Sequence, residues 1–161
     1  MTASALASFA ETNVPAATNS RCDGARPRAC CSFHADAIAA ASPVLQDAIV
    51  CGEGRDQVGL VAWLNAAGCR QVTGEDGDLA FYARHPKVHA HIRAAFAQWN
   101  KINTGATMRV ARVLLLPDMP SIDRNEITDK GYINQRVALE CRSADVVRLF
   151  DGATHPDVVV S

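Results

Sequence analysis

The chain has 161 residues, of which 48% are hydrophobic and 20% charged, with a formal net charge of -1. That is the size of one domain with a single core, and the near-neutral balance excludes a general electrostatic attraction to nucleic acid or to an anionic membrane. No apolar run approaches the ~20 residues a membrane-spanning helix needs, and the first residues carry neither the basic start nor the apolar core of a secretory signal.

Residues 1 to about 30 are rich in Ala, Ser, Thr and Asn, contain Pro15 and Pro27, and show no sustained apolar period. They predict a disordered extension over 1–32. Phe33 to Ala41 predicts a short helix with Phe33, Ala37, Ile38 and Ala41 on one face, stopped by Ser42-Pro43. Val44 to Cys51 and Val58 to Leu64 are β-prone runs joined by Gly52-Glu53-Gly54-Arg55-Asp56, the pattern of a hairpin. In the second run Val58, Leu60, Ala62 and Leu64 alternate with Val61 and Trp63, which predicts a central strand covered on both faces.

Gln71 to Asp78, with two glycines and three acidic residues, reads as a solvated loop. Val88 to Asn103 predicts a helix that buries Val88, Ile92, Ala95, Phe96, Trp99 and Ile102, with Pro86 suiting its start and Gly105 its stop. Met108 to Leu116 is the strongest strand signal; it alternates through Met108, Val110, Arg112 and Leu114 and ends at Pro117 and Pro120. Asn134 suits the cap of a last helix on which Ser143, Leu139, Val146, Val147 and Phe150 share a stripe. The β-prone Val158-Val159-Val160 follows the last packed element, so 151–161 is read as a tail. The expected architecture is α+β: one domain over 33–150, a short mainly antiparallel sheet packed with about three helices.

Between the last strong strand and the last helix lies a polar segment, Ser121-Ile-Asp-Arg-Asn-Glu-Ile-Thr-Asp-Lys-Gly-Tyr-Ile-Asn134. Apolar elements tie it down at both ends, so it is held in place yet open to solvent. Gly131 permits unusual backbone angles next to Lys130, whose ammonium is a mobile point charge suited to an anionic ligand. A single loop lysine is ordinarily just a solvated charge.

The run Glu126-Ile-Thr-Asp-Lys-Gly-Tyr-Ile-Asn-Gln-Arg136 resembles the signature near the C-terminus of feruloyl-CoA synthetases, in the superfamily of AMP-forming acyl-CoA ligases. The likeness continues through Asn103-Thr-Gly-Ala-Thr-Met-Arg-Val-Ala-Arg-Val-Leu-Leu-Leu-Pro117, Ala144-Asp-Val-Val-Arg-Leu-Phe150, Ala37-Ile-Ala-Ala-Ala-Ser-Pro-Val-Leu-Gln-Asp-Ala-Ile-Val50 and Asp56-Gln-Val-Gly-Leu-Val61, and so covers about 33–150. It implies the small C-terminal domain of an enzyme whose large domain holds ATP and the acid. The small domain takes two orientations over it, one for adenylation and one for thioester formation.

By that resemblance Lys130 is the catalytic residue of the first step, touching the substrate carboxylate and the α-phosphate as pyrophosphate leaves. This would be electrostatic rather than covalent catalysis. Thr128, Asp129, Gly131 and Asn134 would shape its loop. Arg109, Arg112 and Arg136 are candidates for the phosphates of coenzyme A, with surface charge as the alternative. The complete enzyme would use ATP, coenzyme A and magnesium on a hydroxycinnamate such as ferulate; none of these is expected to bind this chain tightly alone.

Two features depart from the family pattern. Asn125 stands where the resemblance leads one to expect glycine, and asparagine tolerates positive φ better than most residues. The N-terminal stretch is unlike the hinge expected before Phe33, and neither a phosphate-binding glycine-rich loop nor a ribose-binding acidic motif is found in the sequence. The expectation is a fragment inactive alone, either degenerate or half of a split enzyme that meets its large domain in trans. The alternative is a noncatalytic binding or interaction module on the same fold.

Other residues add little. Cys22, Cys30, Cys31 and His34 form C-x7-C-C-x2-H, which lacks the paired spacing of zinc modules, and no metal site is expected. The cysteines at 22, 30, 31, 51, 69 and 141 are scattered, which suits reduced thiols in a cytoplasmic protein rather than a disulfide scaffold. His85, His89 and His91 have no acidic partner at matching spacing, so a helix surface is their expected place.

Overall fold

A computed structural model describes residues 29–161, with side chains from Phe33 onward. The predicted extension therefore lies mostly outside the described residues, as do Cys22 and the side chains of Cys30 and Cys31. The first helix, α1 (Ala29–Ala40), begins four residues earlier than the pattern from Phe33 predicts, so the folded region takes in part of the expected extension. It ends where expected, just before Ser42-Pro43.

Strands β1 (Leu45–Cys51) and β2 (Val58–Leu64) pair antiparallel, as the hairpin pattern predicts. The predicted two-faced β2 is also found. Leu60, Ala62 and Leu64 join one buried cluster with Phe33, Ala37, Tyr82, Ile92 and Phe96, whereas Val61 and Trp63 join a second with Ile49, Leu116, Ala138 and Leu149. The sheet is thus the middle layer of three.

The first three residues of the predicted loop at 71–78 are helical. Helix α2 (Ala66–Thr73) is followed by a second short one, α3 (Leu79–Ala83). Asn65 starts α2 by accepting Ala67 N–H at 3.1 Å, and Gly74 ends it with φ 74°. Gly68, inside α2, hides this helix from a propensity argument, yet glycine is required there. A Cβ would lie 1.9 Å from the Pro43 carbonyl oxygen, so its absence lets α2 pack against the turn before β1.

Helix α4 (Pro86–Ile102) follows, with Pro86 in its first turn and Val88, Ile92 and Phe96 fully buried. Ile102, placed on the buried stripe by its spacing, is 72% exposed at the last position of the helix.

Strand β3 (Val110–Leu116) lies parallel to β2, the crossover running through α2, α3 and α4, as parallel neighbours require. The register skips Ala111, for Val58 faces Val110 and Gly59 faces Arg112. This bulge overturns the expected alternation. Val110 joins Val113 and Leu115 on the α4 side, while the Arg112 guanidinium reaches the Leu149 carbonyl on the other.

Beyond β3, the predicted last helix is two, α5 (Gln135–Cys141) and α6 (Ser143–Phe150), separated by Arg142. Asn134 caps α5 as expected, accepting Val137 N–H at 3.4 Å. The predicted stripe is shifted, since Leu149 is fully buried and Val147 is 62% exposed.

The predicted tail is the fourth strand. In β4 (Val158–Val160), Val158, Val159 and Val160 face Leu114, Val113 and Arg112 of β3 in antiparallel register. Three consecutive valines cover the open edge of β3, and Val159 is fully buried. The fold is α+β as predicted, but the sheet is mixed, in the order β1-β2-β3-β4, with six helices among the described residues. No described helix is long and apolar enough to cross a membrane.

Candidate functional site

Lys130 lies at the tip of a small hairpin that projects between β3 and α5. Ile127 and Ile133 form an antiparallel bridge, Asn134 N–H donates to the Glu126 carbonyl at 2.8 Å, and Thr128 N–H donates to the Tyr132 carbonyl at 2.8 Å. Gly131 N–H closes the turn on the Thr128 carbonyl at 2.8 Å, and Gly131 has φ 81°. This is the geometry of a three-residue hairpin loop that ends on a left-handed glycine. No atom lies within 4 Å of where a Gly131 Cβ would stand, so its backbone angle alone calls for glycine.

The residues expected to shape the loop divide by role. Thr128 holds it through its backbone and through Oγ1, which accepts Tyr132 N–H at 3.2 Å. Asn134 joins the hairpin to α5 by serving both. The Asp129 side chain is exposed and makes no hydrogen bond or ion pair among the described residues. Lys130 is likewise exposed and without an ion pair among them, so its ammonium is available to an incoming anion. Asn125 has φ 56°, the left-handed conformation glycine would otherwise supply there.

The hairpin rests on a buried ion pair. Glu126 is fully buried, and Arg142 grips its carboxylate with Nε on Oε1 at 2.8 Å and Nη2 on Oε2 at 3.1 Å; Ser121 N–H adds a bond to Oε2 at 2.6 Å. Asp118, just past β3, takes the remaining Nη1. Burial alone would raise the Glu126 pKa, but the Arg142 hydrogen bond, the Ser121 N–H and the charges of Arg142 and Arg124 outweigh it and hold the carboxyl below its usual range. Periodicity does not mark Glu126, which stands in a polar run. Arg142 left a signal: three residues after Leu139 and four before Val146, it falls on the apolar stripe of α5 and α6, where a charge needs a buried partner.

The three candidate arginines do not converge. Arg109 and Arg112 line one groove of about 390 Å³ with Asp56, Gln57, Asn100 and Ser161. Arg136 is on α5, exposed, with Glu140 one turn on at 3.7 Å. Neither Arg136 nor Lys130 lines that groove.

The histidines have separate structural tasks. His85 caps α4 by accepting Lys87 N–H at 3.2 Å, which corrects its expected place on the helix surface; His89 bonds the Ala83 carbonyl and His91 that of Ser42. His34 sits between the Ala48 carbonyl at 2.5 Å and Asp47 at 3.1 Å. Among the described residues no group of three or more His, Cys, Asp or Glu is placed to hold a metal ion. Burial pushes the Cys51 thiol up to about 12 and that of Cys69 to about 11, so neither is a thiolate near neutral pH.

No protein-family model, curated protein or solved structure matches this chain. The described hairpin presents an exposed ammonium, Lys130, on an ordered turn. Such a group can stabilise negative charge on a substrate brought to it.

Proposed function

We propose that this chain is the small domain of a feruloyl-CoA synthetase-like, AMP-forming acid–thiol ligase, and that Lys130 is its catalytic residue in adenylation. The observation that carries the reading is the presentation of Lys130. An ammonium unpaired among the described residues stands on a glycine-closed hairpin whose base is held by a buried ion pair, within the sequence run that resembles the ligase signature.

The chemistry would run between two domains. A large domain, supplied by another polypeptide or by a further stretch of the same one, would bind ATP with magnesium and a hydroxycinnamate. Lys130 would close over them, placing positive charge between the carboxylate oxygen that attacks and the α-phosphate that is attacked. The new bond joins the carboxylate oxygen to the α-phosphorus as the bond to pyrophosphate breaks. An ammonium there offsets the charge that accumulates on the phosphoryl oxygens. Coenzyme A would enter the later thioester step, for which the groove lined by Arg109 and Arg112 is the candidate place for its phosphates. Such a reaction belongs in the cytoplasm, where ATP and coenzyme A are supplied.

The test is reconstitution. Purified chain is mixed with the ATP-binding domain of a feruloyl-CoA synthetase, magnesium, ATP and ferulate, and pyrophosphate release is followed. Release that depends on both chains is expected. If the chain binds that domain but no release follows, the noncatalytic interaction module becomes the better account.

A further inference from the structure

Helix α5 is gripped at both ends by one residue. At its start Asn134, the cap, donates its N–H to the Glu126 carbonyl at 2.8 Å; at its end Arg142 holds the Glu126 carboxylate through Nε and Nη2. The chain thus forms a closed circuit from Glu126 through the hairpin, around Lys130, along α5 and back to Glu126. Glu126 N–H also bonds the Ser121 carbonyl at 3.0 Å, so both strands of the hairpin and the segment leading into it meet at this residue.

We infer that Glu126 and Arg142 are positioning residues for Lys130: their buried pair fixes the base of the hairpin and thereby the place at which the ammonium is presented.

This rests on the proposed role of Lys130 for its functional part and on the described geometry alone for its mechanical part. A carboxylate with no exposure stays charged only with close partners, and those of Glu126 are Arg142, which closes the circuit, and the Ser121 N–H, on the segment leading into the hairpin; Asp118 binds the same guanidinium. The expense of burying two charges is unnecessary for packing, because α5 and α6 already bury Ala138 and Leu149 against the sheet. What the pair adds is direction, since a forked guanidinium holds a carboxylate at two points and leaves it one orientation. A lysine has a long flexible stem, so the backbone beneath it must be fixed if its charge is to be useful.

Hydrogen exchange tests the mechanical part in the full chain without any assumption about activity. In Glu126→Gln, and in Arg142→Lys, which keeps the charge and loses the fork, exchange at Thr128 and Asn134 should quicken at least tenfold while Val61 and Leu114 in the central strands keep their protection. Val61 and Leu114 report global opening, so a variant that only loses stability raises all four amides together, and that result in both variants overturns the inference. So does unchanged exchange at Thr128 and Asn134.

The functional part is read in the reconstituted pair. Glu126→Gln should lower kcat at least tenfold while the affinity between the two chains stays as in wild type, with Arg142→Lys between the two. An unchanged kcat in an active pair overturns positioning. A wild-type pair with no activity removes the ligase reading, and the exchange result still decides whether the pair orders the hairpin.

Discussion

Gln135 stands in for a missing strand beside Val50. Its side-chain oxygen accepts Val50 N–H at 3.1 Å, and its amide nitrogen donates to the Ala48 carbonyl at 3.0 Å. β1 is an edge strand, and an unpaired edge is a liability; here the amide at the first position of α5 bonds Val50, shares the Ala48 carbonyl with His34, and ties that helix to the sheet. Gln135→Leu should lower stability by about 1–2 kcal/mol in urea denaturation, the net worth of two hydrogen bonds. Gln135→Glu should cost at least as much near pH 7, because a carboxylate would then face the Ala48 carbonyl without a proton to donate.

Two glycines should respond to alanine for different reasons. Gly68→Ala puts a methyl group into the Pro43 carbonyl, where only a backbone shift makes room, and should cost roughly 2–3 kcal/mol, the upper range of overpacking. Gly131→Ala meets no atom but must hold φ 81°, which costs about 1–2 kcal/mol. Urea midpoints of the two variants check the order. Equal losses would show that α2 slides freely over the turn.

Stability should depend on pH through two groups of opposite sign. Burial would lower the His34 pKa, but the Asp47 hydrogen bond, the Ala48 carbonyl and the Asp47 charge together raise it. Its contribution is therefore complete below the unfolded value of about 6.5 and is lost as pH rises through the folded one. Glu126 is depressed, so its contribution is present above about 4.3 and is lost as pH falls through its folded value. Denaturation midpoints of wild type minus His34→Gln should shrink between pH 6 and 8, and those of wild type minus Glu126→Gln should shrink below pH 4.

β4 should behave as part of the core. Val159 is fully buried against β3 and α4, so Val159→Ala should cost roughly 1–3 kcal/mol by lost burial and residual cavity. Exposed Val160→Ala should cost well under half of that. Thermal unfolding of the two variants gives the comparison, and a negligible effect of Val159→Ala would return residues 158–160 to the status of a tail.

What could be read from the residues follows from how local the signals are. The β1–β2 hairpin, the two-faced β2, the apolar start of α4 and the Asn134 cap rest on period and turn chemistry, which a single sequence carries. Three of the failures share a cause, a tertiary contact that outweighs the local pattern. Gly68 suits α2 only because Pro43 is near, Ala111 is skipped only because β2 and β3 pair, and Val158–Val160 are a strand only because β3 has an open edge. Lys130 was legible as an exposed charge beside a glycine. Its support was less so, because Glu126 and Arg142 are 16 positions apart and are joined only by the fold.

The most direct measurement separates the two half-reactions in the reconstituted pair. With ATP and ferulate, Lys130→Ala should slow pyrophosphate release about 100-fold or more, as loss of a charge-stabilising group does. With preformed feruloyl adenylate and coenzyme A, the same variant should form thioester at the wild-type rate. Equal pyrophosphate release by wild type and Lys130→Ala would contradict the assignment of adenylation to this lysine.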